Sequence, residues 1–250
     1  MIDILAISPP ETYPEEAQSI VRLLDAGVTR YHLRKPSWTA AALDAFLRLL
    51  PPSYYARLVL HQHHALLQTH ALGGWHAKDR SDPSQPLQLP SLSPQPDCNF
   101  TVCSNRSLGR QTVDGITQRA RPTTHALASE ATTFHSCIKG PGLARKPFLS
   151  RSLHRITALD ADTQGWDAAL LSPVFPSLSK PGHCPPWTED ELVCGLRKPR
   201  SARLYALGGI DATRAAYCIE RGFDGIVLHG VLWQAADPVV ALETIQRTLP

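Results

Sequence analysis

Eight short apolar runs, each followed by a helix-like or turn-rich stretch, constrain this 250-residue chain more than any other feature. They are 3–8 (DILAIS), 29–35 (TRYHLRK), 56–62 (ARLVLHQ), 74–78 (GWHAK), 148–152 (FLSRS), 168–175 (AALLSPVF), 203–209 (RLYALGG) and 225–230 (GIVLHG). Amphipathic stretches stand between most of them. Residues 14–27 carry acids in the first turn and Gly27 as a C-cap. A second helix is expected over 38–50, stopped by Pro51-Pro52, a short one over 63–73 and a weak one after 152. Thr188 and Glu191 have capping-box spacing for a helix through Leu196. Asp211 starts a helix that ends at Gly222, and Asp237-Pro238 opens the last. Eight strands alternating with helices predict parallel β/α topology. A closed (β/α)8 TIM barrel is the economical form, since an open sheet would leave two edges to cover. The open doubly wound sheet is the alternative, but no strand–Gly-rich–helix dinucleotide fingerprint supports it.

Residues 81–147 interrupt the pattern. They are rich in Ser, Thr, Pro and Arg, with little periodicity, where a connection of a few residues is usual between strands four and five. The chain is therefore expected to be one barrel domain over 1–250, interrupted by this long polar insertion. The insertion's composition suits a surface segment, or an arm that reaches a partner. It holds seven Lys/Arg against four Asp/Glu, which accounts for the whole formal charge of +3. The rest is nearly neutral, so no nucleic-acid surface is indicated. No run approaches the ~20 apolar residues of a membrane span. The start, MIDILAISPPETYPEE, lacks a basic n-region, and the six cysteines include no CxxC pair; a cytoplasmic protein with reduced thiols is expected. Self-association is left open.

In such a barrel, chemistry sits at the carboxyl ends of the strands. Those ends carry His32, Arg34 and Lys35; His61 and Gln62; His76 and Lys78; Ser152 and His154; Ser177, Ser179 and Lys180; Gly208 and Gly209; His229 and Gly230. The last two ends suit a phosphate, because glycine lets backbone N–H groups approach an anion closely. The alternation of hydroxyls and a lysine at 177–180 suits an anion too. Five strand-end histidines raise a metal site as well. There is no HxH at strand one and no carboxylate at strand eight, so the expectation is no metal.

Taken in order, these ends resemble the thiamine phosphate synthase/TenI family, over 1–80 and 148–250. HLRK (32–35) is similar to its second-strand motif, SRSLH (150–154) to the fifth-strand S-V-H, and SPVFPSLSKPG (172–182) to the sixth-strand GPIFPTxTKxG. ALGGI (206–210) resembles AIGGI, and GFDGIVLHGVLW (222–233) the closing GADGVAV stretch. The resemblance implies an enzyme of thiamine biosynthesis that binds a thiazole phosphate. Ser177, Ser179 and Lys180 would then contact the ligand and its anionic group, with Gly208, Gly209, Gly230 and His229 on the phosphate. In a synthase Arg34 would hold the pyrimidine pyrophosphate. His32, His61 and Ser152 would line the substrate site.

The departures point to one branch. The family's Asn-Asp after strand three is His61-Gln62 here, the acid after strand four has no match in register, and the motif's lysine falls on Pro36. Oxygen ligands for Mg²⁺ are thereby depleted. The expectation is a TenI-like thiazole tautomerase with His154 as acid/base and no certain cofactor, histidine being suited to proton transfer near neutrality. The alternatives are an active synthase, which would need Mg²⁺, and a non-catalytic phosphate-binding or regulatory protein.

Overall fold

The computed structural model describes residues 2–78, 146–159, 163–176, 182 and 184–250. Eight strands close into one parallel barrel in chain order: β1 Asp3–Ile7, β2 Arg30–Leu33, β3 Leu58–Leu60, β4 Gly74–Ala77, β5 Phe148–Leu153, β6 Ala168–Leu171, β7 Arg203–Leu207 and β8 Gly225–Leu228. β1 pairs with β8, so no edge is left open. The expected insertion at 81–147 lies outside the described residues, apart from its last two.

The helices form where the sequence places apolar residues three and four apart. α1 (Glu16–Asp25) buries Ile20, Leu23 and Leu24. Gly27 follows it at φ +109, a backbone shape that disfavours any other residue. α2 (Ala40–Leu47) is shorter than predicted, because Pro51 and Pro52 pass the chain into a 3-10 turn at Pro52–Arg57. α3 is Leu66–His70. The weak helix expected after β5 is a single 3-10 turn, Ile156–Ala158. α4 (Glu189–Leu196) begins at the predicted capping box: Glu191 N–H donates to Thr188 Oγ1 and Thr188 N–H to Glu191 Oε2. Asp211 accepts from the N–H groups of Thr213 and Arg214 to start α5 (Ala212–Glu220). A one-turn helix, α6 (Gly230–Trp233), was not predicted, and α7 (Pro238–Gln246) is capped by Asp237.

Side chains alternate across the barrel wall. Ile4, Ala6, Tyr31, Leu33, Leu58 and Leu60 point out, into the core shared with the helices. A second, smaller core fills the barrel itself, from Leu5, Ile7, Ala168, Leu170, Tyr205 and Val227. Its buried members come from β1, β6, β7 and β8, with Phe148 of β5 packed against them. The same parity on β2, β4 and β5 gives His32, His76, Ser150 and Ser152. The barrel interior is thus apolar on one side and polar on the other, and the polar side makes the site.

Candidate functional site at the carboxyl ends of the strands

β2 and β4 each aim one imidazole inward, and the turn after β3 adds a third. His32 is fully buried, His76 is 3% exposed and His61 9%. His61, expected at a strand end lining the substrate site, has its backbone N–H donating to Leu33 O, which extends the β2–β3 ladder by one step and turns the ring into the barrel. The rings of His61 and His76 stack with centroids 4.1 Å apart, and His32 meets both edge-on. His32 Nδ1 lies 3.1 Å from His61 Nε2. Burial, more than any neighbouring charge, holds these rings neutral: His32 is lowered to about 3, and His61 and His76 well below their ordinary value. Mutual repulsion among the histidines and the positive charge of Arg34 act in the same direction on His61 and His76.

β5 supplies the partners of His76. Register pairs His76 with Ser150, and the Ser150 hydroxyl is 3.0 Å from His76 Nδ1 while that of Ser152 is 2.8 Å from Nε2. Ser152, predicted to face substrate, therefore rests on His76. His154, two residues on, is exposed just past the strand, and its Nδ1 is 2.7 Å from the Ser172 carbonyl. A ring nitrogen facing a carbonyl must carry a proton, so Nδ1 is a donor here. His154 and the buried trio are thus separate features of the same face.

Arg34 is half-buried at the end of β2, where Ser8 fixes its backbone by accepting from Arg34 N–H and donating to Arg34 O. Lys35, next to it, is withdrawn from any ligand. Its Nζ is fully buried and donates to Glu16 Oε2 (2.6 Å), Pro9 O and Glu11 O, which clamps the β1–α1 loop.

Gly208 and Gly209 have φ +99 and +66, and the β6 loop lies against them: Val174 N–H donates to Leu207 O and Phe175 N–H to Gly208 O. A Cβ on Gly209 would stand 2.4 Å from Pro176 O, so this glycine pair brings two loops together as well as exposing backbone. His229 and Gly230 follow β8, half-buried at the start of α6. Ser177, Ser179 and Lys180 lie outside the described residues.

His76 and Ser150 are the residues that strand-end reading leaves without a role. The usable signal is parity: His76 shares the inward face with Gly74, and Ser150 and Ser152 flank an outward Arg151. A separate cavity of about 490 Å³ opens at the amino ends, lined by Asp3, Arg30, Trp166, Asp167, Arg203 and Tyr205. Arg203 and Tyr205 both meet Asp3 there, and the strand-end histidines are at the opposite face.

No protein-family model matches the chain, and no curated protein sequence does. Solved structures do. Thiamine phosphate pyrophosphorylase from Bacteroides thetaiotaomicron is 20% identical, with a TM-score of 0.61 over 99% of this chain and 97% of that one. Thiamine phosphate pyrophosphorylase from Pyrococcus furiosus is 16% identical, with a TM-score of 0.62 over 99% and 95%. (S)-3-O-geranylgeranylglyceryl phosphate synthase from Thermoplasma acidophilum, solved with sn-glycerol-1-phosphate, is 11% identical, with a TM-score of 0.57 over 99% and 92%. The chain therefore has the TIM-barrel fold of the thiamine phosphate pyrophosphorylases.

Proposed function

We propose that this protein is an enzyme of thiamine biosynthesis that binds a thiazole phosphate at the carboxyl face of its barrel and moves a proton on the thiazole ring, as a TenI-like tautomerase. One observation carries the choice of proton transfer over coupling. A synthase must neutralise a departing pyrophosphate, for which Mg²⁺ with hard oxygen ligands is suited. At the ends of β3 and β4, the described polar side chains are His61, Gln62, His76 and Lys78. This donor set does not fit Mg²⁺. Tautomerisation needs no such ion: a proton leaves one carbon of the substrate and another carbon receives one, so the atoms balance without a co-reactant.

His154 is the acid/base in this reading. The Ser172 carbonyl holds Nδ1–H, and the ring takes the proton and returns it. The turns at Gly208–Gly209 and His229–Gly230 receive the phosphate, Arg34 the substrate carboxylate, and Ser177, Ser179 and Lys180 are the ligand-contacting residues. The coupling synthase is the second reading, favoured by the names of the two pyrophosphorylases that share the fold.

The discriminating experiment incubates the full-length protein with hydroxymethylpyrimidine pyrophosphate and thiazole phosphate, with and without Mg²⁺. No thiamine phosphate is expected in either case, although thiazole phosphate binds. Metal-dependent product would establish the synthase instead.

A further inference from the structure

A barrel interior of this kind is ordinarily filled by Val, Ile and Leu. Three imidazoles in that layer cost free energy unless something satisfies them. The proton transfer assigned to His154 gives none of them a task. One nitrogen from each of His32, His61 and His76 lies within 4.8 Å of the other two.

We propose that His32, His61 and His76 form a three-imidazole site for a divalent ion of the zinc class, whose fourth position takes water or an anionic group of the substrate.

The geometry is close to what such an ion needs. Two imidazoles bound to one tetrahedral zinc, each at 2.0–2.1 Å, hold their nitrogens about 3.3 Å apart. His32 Nδ1 and His61 Nε2 are already at 3.1 Å. Two neutral rings tolerate that approach only with a proton shared between them, and a cation can take the proton's place. Binding would bring the three nitrogens, now within 4.8 Å of one another, to about 3.3 Å.

His76 is also oriented as a ligand. The Ser150 hydroxyl has the Trp75 carbonyl at 3.5 Å as an acceptor for its own proton. It is then the acceptor for His76 Nδ1–H at 3.0 Å. In that arrangement the lone pair is on Nε2, where the Ser152 hydroxyl sits at 2.8 Å. A metal-bound histidine usually gives its other ring N–H to a carboxylate, a carbonyl or a water, and the Ser150 hydroxyl can accept in the same way. Ser152 would then meet whatever occupies the fourth position.

The chemistry of the donors selects the ion. Neutral imidazole is the form that binds metals, and burial keeps these rings neutral. Imidazole suits zinc, copper, nickel or iron, whereas Mg²⁺ and Ca²⁺ take oxygen. Three neutral ligands leave both charges of the ion uncompensated, and Arg34 adds a further positive charge nearby. The fourth ligand is therefore an anion, a carboxylate or a phosphate, or a water made acidic by the ion. This departs from the sequence expectation of no metal, and it stands whether or not the tautomerase reading does.

The test uses the full-length protein, stripped with a chelator and dialysed against Zn²⁺ or Co²⁺ alone. One equivalent per chain is expected, with the intense visible absorption of four-coordinate Co²⁺ and no thiolate charge-transfer band. Ser150→Ala, a small change in a buried position, is expected to weaken binding about 10–100-fold. His61→Gln, checked for folding by circular dichroism, should abolish the stoichiometric site, while His63→Ala and His70→Ala should leave it intact. A thiolate band, the absence of a stoichiometric ion, or unchanged affinity in both Ser150→Ala and His61→Gln would overturn the proposal.

Discussion

Lys35 reads in sequence like a basic group at a strand end, ready for an anion. In the fold it is the most enclosed charge described, wrapped by two carbonyls and the Glu16 carboxylate and lying 4.9 Å from the Trp38 ring. Desolvation raises the Glu16 pKa, and Lys35 opposes that shift. Breaking such a pair strands a buried charge, so Lys35→Ala is expected to cost about 3–5 kcal/mol in urea unfolding. The paired change Lys35→Met with Glu16→Gln should cost clearly less. Equal losses would mean that the ion pair is not what holds the β1–α1 loop. At the same scale, His154→Ala should remove tautomerase turnover by at least about 100-fold while thiazole phosphate still binds. Turnover that persists would move the acid/base to another residue. These two residues also show where sequence reading stops. HLRK makes Arg34 and Lys35 equivalent basic groups, and only the packing of the first loop separates a buried clamp from a half-exposed cation.

The elements were largely legible, because their signals are local. The capping box at Thr188, the Asp211 and Asp237 caps and the glycine after α1 each depend on neighbours a few residues away. Thr188→Ala should therefore destabilise by about 1 kcal/mol, read as a shift in the denaturation midpoint with the same slope. Helix ends beside prolines were less legible, since a 3-10 turn at Pro52–Arg57 and an α-helix share the same residues at the boundary. The Gly208–Gly209 turn joins two elements, and sequence shows only half of its role. Its glycines read as a phosphate cradle, yet they also admit the β6 loop against β7. Gly209→Ala combines a left-handed backbone with a Cβ 2.4 Å from Pro176 O, so a loss of at least about 1–2 kcal/mol is expected. Weaker thiazole phosphate binding should accompany it, measured by calorimetry. Normal stability with weakened binding would restrict this glycine to the ligand.

At the scale of the whole molecule, the barrel was readable from eight apolar runs, whereas the polar half of its interior was not. Seeing His32, His61, His76 and Ser150 as one group requires inward parity on several strands and the register that sets His76 beside Ser150. Neither is contained in any short motif. That grouping has a consequence for the stability of the entire fold. Histidine titrates near 6.5 when unfolded, but His32 is lowered to about 3, His64 to about 4, and His61 and His76 fall well below the ordinary value. Below pH 6.5 the unfolded chain takes up protons that the native chain refuses, so stability falls with pH. Each ring contributes about 1.4 kcal/mol per pH unit until its native pKa is reached. Urea midpoints of metal-free protein should drop steeply between pH 6.5 and 4, and a flat profile would contradict the burial of these rings.

The most direct measurement of the central claim follows the thiazole carboxylate phosphate by proton NMR as the full-length protein is added. Conversion to the aromatic tautomer, faster than the uncatalysed change and lost in His154→Ala, is the predicted result. A substrate that binds but converts no faster than in buffer would contradict it.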